Sequence, residues 1–143
     1  LNLSEIVENT ISFFDPLSSG ILKLDKACFV FADHDQIVRV LNNLLNNAIE
    51  AVSDDETPLV TVSLEKGDNK VLLQVTDNGV GIPLEQQEKI FEPNFTTKTS
   101  GTGLGLAIVK RIIDDLNGHI YFESVLNKGT TFYISLPLLK QKA

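Results

Sequence analysis

The chain has 143 residues, 43% of them hydrophobic and 22% charged, a composition that supports one globular domain with a single core. Its net charge of -7 excludes the basic excess that nucleic acids and anionic membrane surfaces require, and no apolar run approaches the roughly 18 residues of a membrane-spanning helix. Cys28 is the sole cysteine, which rules out an internal disulfide and fits a reducing, cytoplasmic setting.

Leu3, Ile6, Val7 and Ile11 recur at helical spacing, with Ser4 expected to cap the first turn and Asp15-Pro16 and Ser18-Ser19-Gly20 to end the helix. Two short strands are predicted near 21–23 and 28–32, and Cys28, in an apolar run, is expected to be a buried, unreactive thiol. Asp33 should cap a long helix running to about Val52, with Ile37, Leu41, Leu44, Ala48 and Val52 as its core stripe. After Thr57-Pro58, Val60, Val62 and Leu64 alternate with polar residues, Gly67-Asp68-Asn69 turns the chain, and Val71, Leu73 and Val75 alternate on the way back. Pro83 opens a short helix to about Ile90, and a lid-like loop runs from Phe91 to Thr102. A helix from about Gly103 to Leu116 stops at Asn117-Gly118, and a hairpin pairs 120–124 with 130–136 across Asn127-Lys128-Gly129. Mixed helices and antiparallel hairpins predict an α+β fold, a two-layer sandwich with helices on one face of a mixed, largely antiparallel sheet. Neither an initiating nor an internal methionine is present, so the chain is expected to be a domain, residues 1–143, of a longer protein.

Three features carry chemistry. Asn43 and Asn47 stand one helical turn apart, off the core stripe. A carboxamide oxygen is a neutral hard ligand suited to Mg²⁺, which takes few protein ligands when phosphates and water complete its shell. Asn47 is assigned as that ligand and Asn43 as a contact to phosphate or to metal-bound water. With Asn42 and Asn46 also present, a solvated polar face is the alternative. Asp77 ends a strand, where its carboxylate could accept from the exocyclic amine of adenine. Gly79 and Gly81 would bring the backbone close to the base and Ile82 would pack on the purine. A plain Asp-Asn-Gly turn is the competing reading. Gly101, Gly103 and Gly105 expose amides at a helix start, which attracts phosphate, and Lys98 adds a full charge beside them. Leu104 and Leu106 would pack that helix start against the sheet. The pattern lacks the Gly-Lys-Ser/Thr of a Walker loop.

In this order the motifs resemble the catalytic ATP-binding domain of bacterial sensor histidine kinases, within the Bergerat-fold superfamily. Residues 35–52 are similar to that family's N box, 77–82 to its first glycine box, 90–98 to its F box, 101–106 to its second glycine box, and Lys128-Gly129-Thr130-Thr131-Phe132 to its closing Gly-Thr motif. Phe-Glu-Pro-Asn-Phe-Thr-Thr-Lys resembles kinases of the nitrogen-regulation type. The resemblance implies an ATP-Mg²⁺ site with Asn43, Asn47 and Lys98 as catalytic residues. It adds Ala51, Phe91, Phe95, Thr97, Thr102, Leu104, Leu106 and Thr130 to the nucleotide contacts, Thr130 helping Asp77 hold adenine. The phosphoryl group would pass to a histidine on a separate dimerisation domain of the same protein, then to a response-regulator receiver domain. His34 and His119 lack the acceptor pattern and are expected to be structural or exposed. ATPases and serine kinases of the superfamily resemble one another in carrying a glutamate where this chain has Asn43. An amide cannot act as a general base, which speaks against the alternative of a self-contained ATPase or anti-sigma-factor-like kinase. A degenerate docking module is a third reading, disfavoured by Asn47, Asp77 and the 101–105 glycines. Glu50 is expected to be an exposed helix carboxylate.

Overall fold

Period-two alternation decides the sheet. Val60, Val62 and Leu64 of β2 (Val60–Lys66) and Val71, Leu73 and Val75 of β3 (Lys70–Thr76) all point inward and are buried. The computed structural model describes residues 1–14, 19–53, 55–92 and 105–139. With β1 (Ser19–Leu24), β4 (His119–Val125) and β5 (Gly129–Pro137), these strands form a five-stranded sheet in the order β1-β2-β3-β5-β4. β1 pairs parallel to β2, because α2 (His34–Glu50) intervenes as the crossover that parallel neighbours require. All other pairs are antiparallel. The sandwich of helices on one face of a mixed sheet is therefore the architecture expected.

Helices α1 (Leu3–Ile11), α2 and α4 (Gly105–Asp115) cover the inner face of the sheet, with Leu3, Val7, Leu41, Leu44, Leu45, Val109 and Ile113 buried against the strand valines and leucines. Each such side chain contributes about 1.5–3 kcal/mol by leaving water. The predicted α2 stripe of Ile37, Leu41, Leu44, Ala48 and Val52 is buried throughout, and Asp33 caps the helix by accepting from the Gln36 amide at 3.2 Å. α4 ends as expected: Asn117 adopts φ 60, the Asn117 amide reaches Asp114 O, and the Gly118 amide reaches Ile113 O at 2.9 Å. That is a Schellman arrangement with asparagine in the left-handed position.

Several local expectations are corrected. Asn2, not Ser4, caps α1, accepting from the Ser4 amide at 3.1 Å. The Ser4 hydroxyl is buried instead, donating to Asp25 O at 2.7 Å and accepting from the Cys28 amide at 3.2 Å. The segment 28–32 forms only isolated bridges, Asn2 with Phe29 and Val30 with Leu138, because the turn before it (Ala27 at φ 57) delivers it beside α1 and the chain end. Ser19 and Gly20, expected in a break, belong to β1; Asp15, Pro16 and Ser18 lie outside the described residues. The helix after Pro83, α3, is a single turn, Leu84–Gln87. Among the described residues no helix is long and apolar enough to cross a membrane.

Candidate functional site

α2 buries its leucines and leaves Asn43 and Asn47 half-buried along its flank. The first residue of α4 arrives against this flank: a Cβ placed on Gly105 would stand 3.3 Å from Asn43 Oδ1. The N-terminal end of an eleven-residue helix, with its partial positive charge, thus begins beside the predicted metal and phosphate ligands.

The second half of the site is built at one end of the sheet. Asp77 leaves β3 and remains buried, at 7% exposure, because its own amide donates to Thr130 O at 2.9 Å and keeps it in line with β5. Its Oδ1 accepts from two amides, Gly79 at 2.8 Å and Thr130 at 3.2 Å. The bond from the Gly79 amide is the Asx turn of the plain-turn reading, and the bond from the Thr130 amide ties the same carboxylate to β5. Gly129 (φ 136) has to be glycine, since a Cβ there would collide with the Asp77 carbonyl.

Gly79 makes a close approach within the protein itself. Its φ is not in the left-handed region; what it permits is close approach, because a Cβ would lie 2.7 Å from both Cβ and O of Ala51. Ala51 is the C-cap of α2, and its carbonyl accepts from the Val80 amide at 2.9 Å. The loop holding Asp77 is thereby fastened to the helix holding Asn43 and Asn47. Gly81 is the residue of this loop with positive φ, at 79. Ile82, partly buried against the core, donates its amide to Ser124 Oγ at 2.7 Å.

Phe91 packs its ring edge-on against Phe122 and Phe132, with centroids 5.9 and 6.4 Å away, so this predicted contact residue also anchors the segment after α3 to β4 and β5. Leu106 is partly buried against the core, as expected of a packing residue. Phe95, Thr97, Lys98, Gly101, Thr102, Gly103 and Leu104 lie outside the described residues. His34 and His119 are exposed, and Cys28 is fully buried. Glu50 is an exposed helix residue.

Two residues of this region carried no legible signal. Ser124, a lone serine on an edge strand, lies directly opposite Thr130 and bonds its hydroxyl at 2.8 Å. Asn78 accepts from the Leu59 amide at 2.8 Å and donates to Thr57 O at 3.1 Å, pinning the entry to β2 under the Asp77 loop. The Asp-Asn-Gly triplet named Asn78 only as a turn residue.

Comparison with known proteins assigns the family. Residues 32–140 match the model of the histidine kinase-, DNA gyrase B- and HSP90-like ATPases. The chain is 45% identical over 111 residues to sensor histidine kinase ZraS of Salmonella typhi, a match covering 78% of this chain and 24% of that protein. It is 37% identical over 108 residues to sporulation kinase B of Bacillus subtilis, covering 76% of this chain and 25% of the other. The chain thus spans about a quarter of the length of these relatives. The nucleotide-free catalytic domain of histidine kinase ThkA superposes with a TM-score of 0.82 at 35% identity, covering 96% of this chain and 95% of that one. The chain belongs to the histidine kinase-, DNA gyrase B- and HSP90-like ATPase family, as an ATP-binding domain of the sensor histidine kinase type.

Proposed function

We propose that this domain holds ATP with Mg²⁺ between the α2 flank, the Asp77 end of the sheet and the start of α4, and that it donates the γ-phosphoryl group to a histidine outside the domain. The observation carrying this reading is the fastening of the Asp77 loop to the asparagine-bearing helix through Val80 and Ala51. Joining the loop of the buried Asp77 carboxylate to the asparagine-bearing helix supports a base contact and a metal contact shared by one ligand.

In this reading Asp77 accepts from the adenine amine, Thr130 stands beside it, and Ala51, Gly79, Gly81, Ile82 and Phe91 shape the surrounding wall. Asn47 would hold Mg²⁺, and Asn43, beside Gly105, would contact phosphate or metal-bound water; the donor set suits a hard cation shared with phosphates. Bound Mg²⁺ supplies neutralisation of phosphate charge. The family resemblance adds Phe95, Thr97, Lys98, Gly101, Thr102, Gly103 and Leu104 as nucleotide contacts, and Leu106 packs against the core. Asn43 has no proton-accepting carboxylate, so ATP stays intact until a nucleophile arrives. That nucleophile is a histidine on the dimerisation domain of the same protein, and a receiver domain takes the group afterwards. Residues 1–143 form the catalytic module, working on the cytoplasmic side with no membrane or nucleic-acid contact of its own.

Thermal unfolding with ADP and MgCl₂ tests the site, since a ligand at 100 times its Kd stabilises by about 2.7 kcal/mol. The melting temperature should rise with nucleotide, and Asp77→Asn should fold yet lose the shift, because an amide NH₂ would face the adenine amine. No shift at millimolar ADP would refute the site. Acid-labile label from γ-labelled ATP on the full-length kinase, absent after Asn47→Asp, tests the transfer.

A further inference from the structure

The turn that closes the β4–β5 hairpin lies against the glycine loop, and three consecutive loop residues are fastened to that hairpin. The Val80 carbonyl accepts from the Asn127 amide at 2.8 Å, and the Ile82 amide donates to Ser124 Oγ at 2.7 Å. Between them Gly81 leaves no room for a side chain, since a Cβ would stand 2.5 Å from the Val125 carbonyl oxygen. The Val80 side chain is 49% exposed, so packing does little to hold this part of the loop. Its backbone does so instead, with the amide bonded to Ala51 on α2 and the carbonyl to Asn127 on the hairpin.

One residue decides whether the hairpin side of this hold exists. The Lys128 amide donates to Val125 O at 3.1 Å, closing a four-residue turn. Asn127, third of the four, has φ 64, and Leu126 before it does not share the positive φ. That combination is the signature of a type II turn. In a type I turn the second residue differs in ψ by about 150°, which turns the central peptide over. The Asn127 N–H belongs to that central peptide. It meets the Val80 carbonyl in the observed turn and points away from it in the alternative. Asparagine enters the left-handed region far more readily than most residues, so its side chain holds the turn in the form that reaches the loop.

Resting on the nucleotide reading above, we infer that Asn127 is a positioning residue for nucleotide binding. Its left-handed backbone aims one peptide N–H at Val80 and so sets the 79–82 loop in place before a ligand arrives. Asn127 acts through Val80 and does not itself touch the nucleotide. A loop held in advance spares the binding step the entropy of ordering it.

Affinity for ADP with MgCl₂, by calorimetry, and thermal unfolding are measured on the wild-type chain, Asn127→Ala, Asn127→Gly and Asn117→Ala. Asn117 is the control: it is also left-handed, at φ 60, but follows the opposite end of α4 from Gly105, roughly 16 Å of helix away. Both alanine variants should lose roughly 2–8 °C in melting temperature from the same backbone cost. ADP affinity should fall roughly three- to tenfold in Asn127→Ala alone, the equivalent of one net hydrogen bond. Asn127→Gly, which takes positive φ freely, should keep the wild-type affinity. Should Asn127→Ala not fold, Asn127→Ser, which can still bond its own turn backbone, gives the same expectation. Affinity unchanged in the alanine or serine variant, an equal loss in Asn117→Ala, or a loss shared by Asn127→Gly overturns the inference. Those outcomes leave the nucleotide site standing, whereas a wild-type chain that binds no ADP removes both.

Discussion

The amide of Val80 donates to the carbonyl of Ala51 at 2.9 Å, joining the loop after β3 to the last turn of α2. Between these residues and the buried Asp77 carboxylate sits Gly79, packed so closely on Ala51 that no side chain fits.

Gly79→Ala should therefore destabilise the fold. An added carbon 2.7 Å from Ala51 Cβ and O cannot be relieved by a rotamer change, since a backbone carbonyl is one of the obstacles. Overpacking of this kind costs about 1–3 kcal/mol, and at this chain length the melting temperature falls about 2–4 °C per kcal/mol. Gly20→Ala is the control: among the described residues nothing lies within 4 Å of its added carbon, and calorimetry should show no loss. Equal effects at the two positions would contradict the close-approach account.

Gly105→Ala divides stability from binding. Among the described residues the new carbon meets the Asn43 side chain, Oδ1 at 3.3 Å and Cγ at 3.7 Å, and that side chain can shift by a few tenths of an ångström. Alanine favours a helix over glycine by up to about 1 kcal/mol, which offsets the crowding, so the melting temperature should change by no more than about 3 °C. In the proposed reading Asn43 contacts the phosphate side, so its displacement should lower nucleotide affinity severalfold. Unchanged affinity would remove Asn43 from the site.

On the outer face, Tyr121 and Tyr133 stack with ring centroids 4.8 Å apart. The Tyr133 pKa is raised above 10.0, first by burial of the phenol and then by the neighbouring Glu123 carboxylate, which disfavours phenolate. An acid whose folded pKa is raised stabilises the fold below the unfolded value, and this is lost as pH climbs past 10 and through the folded pKa. The chain has two tyrosines and no tryptophan, so a Tyr121→Phe variant isolates Tyr133 in an ultraviolet tyrosinate titration. Its midpoint should lie above 10.0 and move back down after Glu123→Gln; a midpoint at or below 10.0 would contradict this environment.

Local sequence determined the elements whose signals are periodic or stereochemical. The 60–64 and 71–75 alternations, the α2 stripe, the Asp33 cap and the Asn117-Gly118 stop were all legible, because each depends on residues within one or two turns of one another. The motifs at Asn43/Asn47 and Asp77–Ile82 were legible too, as residue types suited to a chemistry. Tertiary structure alone decided what those residues touch. Ser4 lost the α1 cap to Asn2 because a distant loop claimed its hydroxyl; 28–32 failed to become a strand because its neighbours are α1 and the chain end. Gly79 proved to serve contact with Ala51, 28 residues earlier, and Ser124 entered the site only through strand register and the Ile82 amide. The physical reason is one of range: propensity and periodicity are properties of neighbours along the chain, whereas close approach and hydrogen-bond partners are set by atoms brought together only when the sheet closes on its helices.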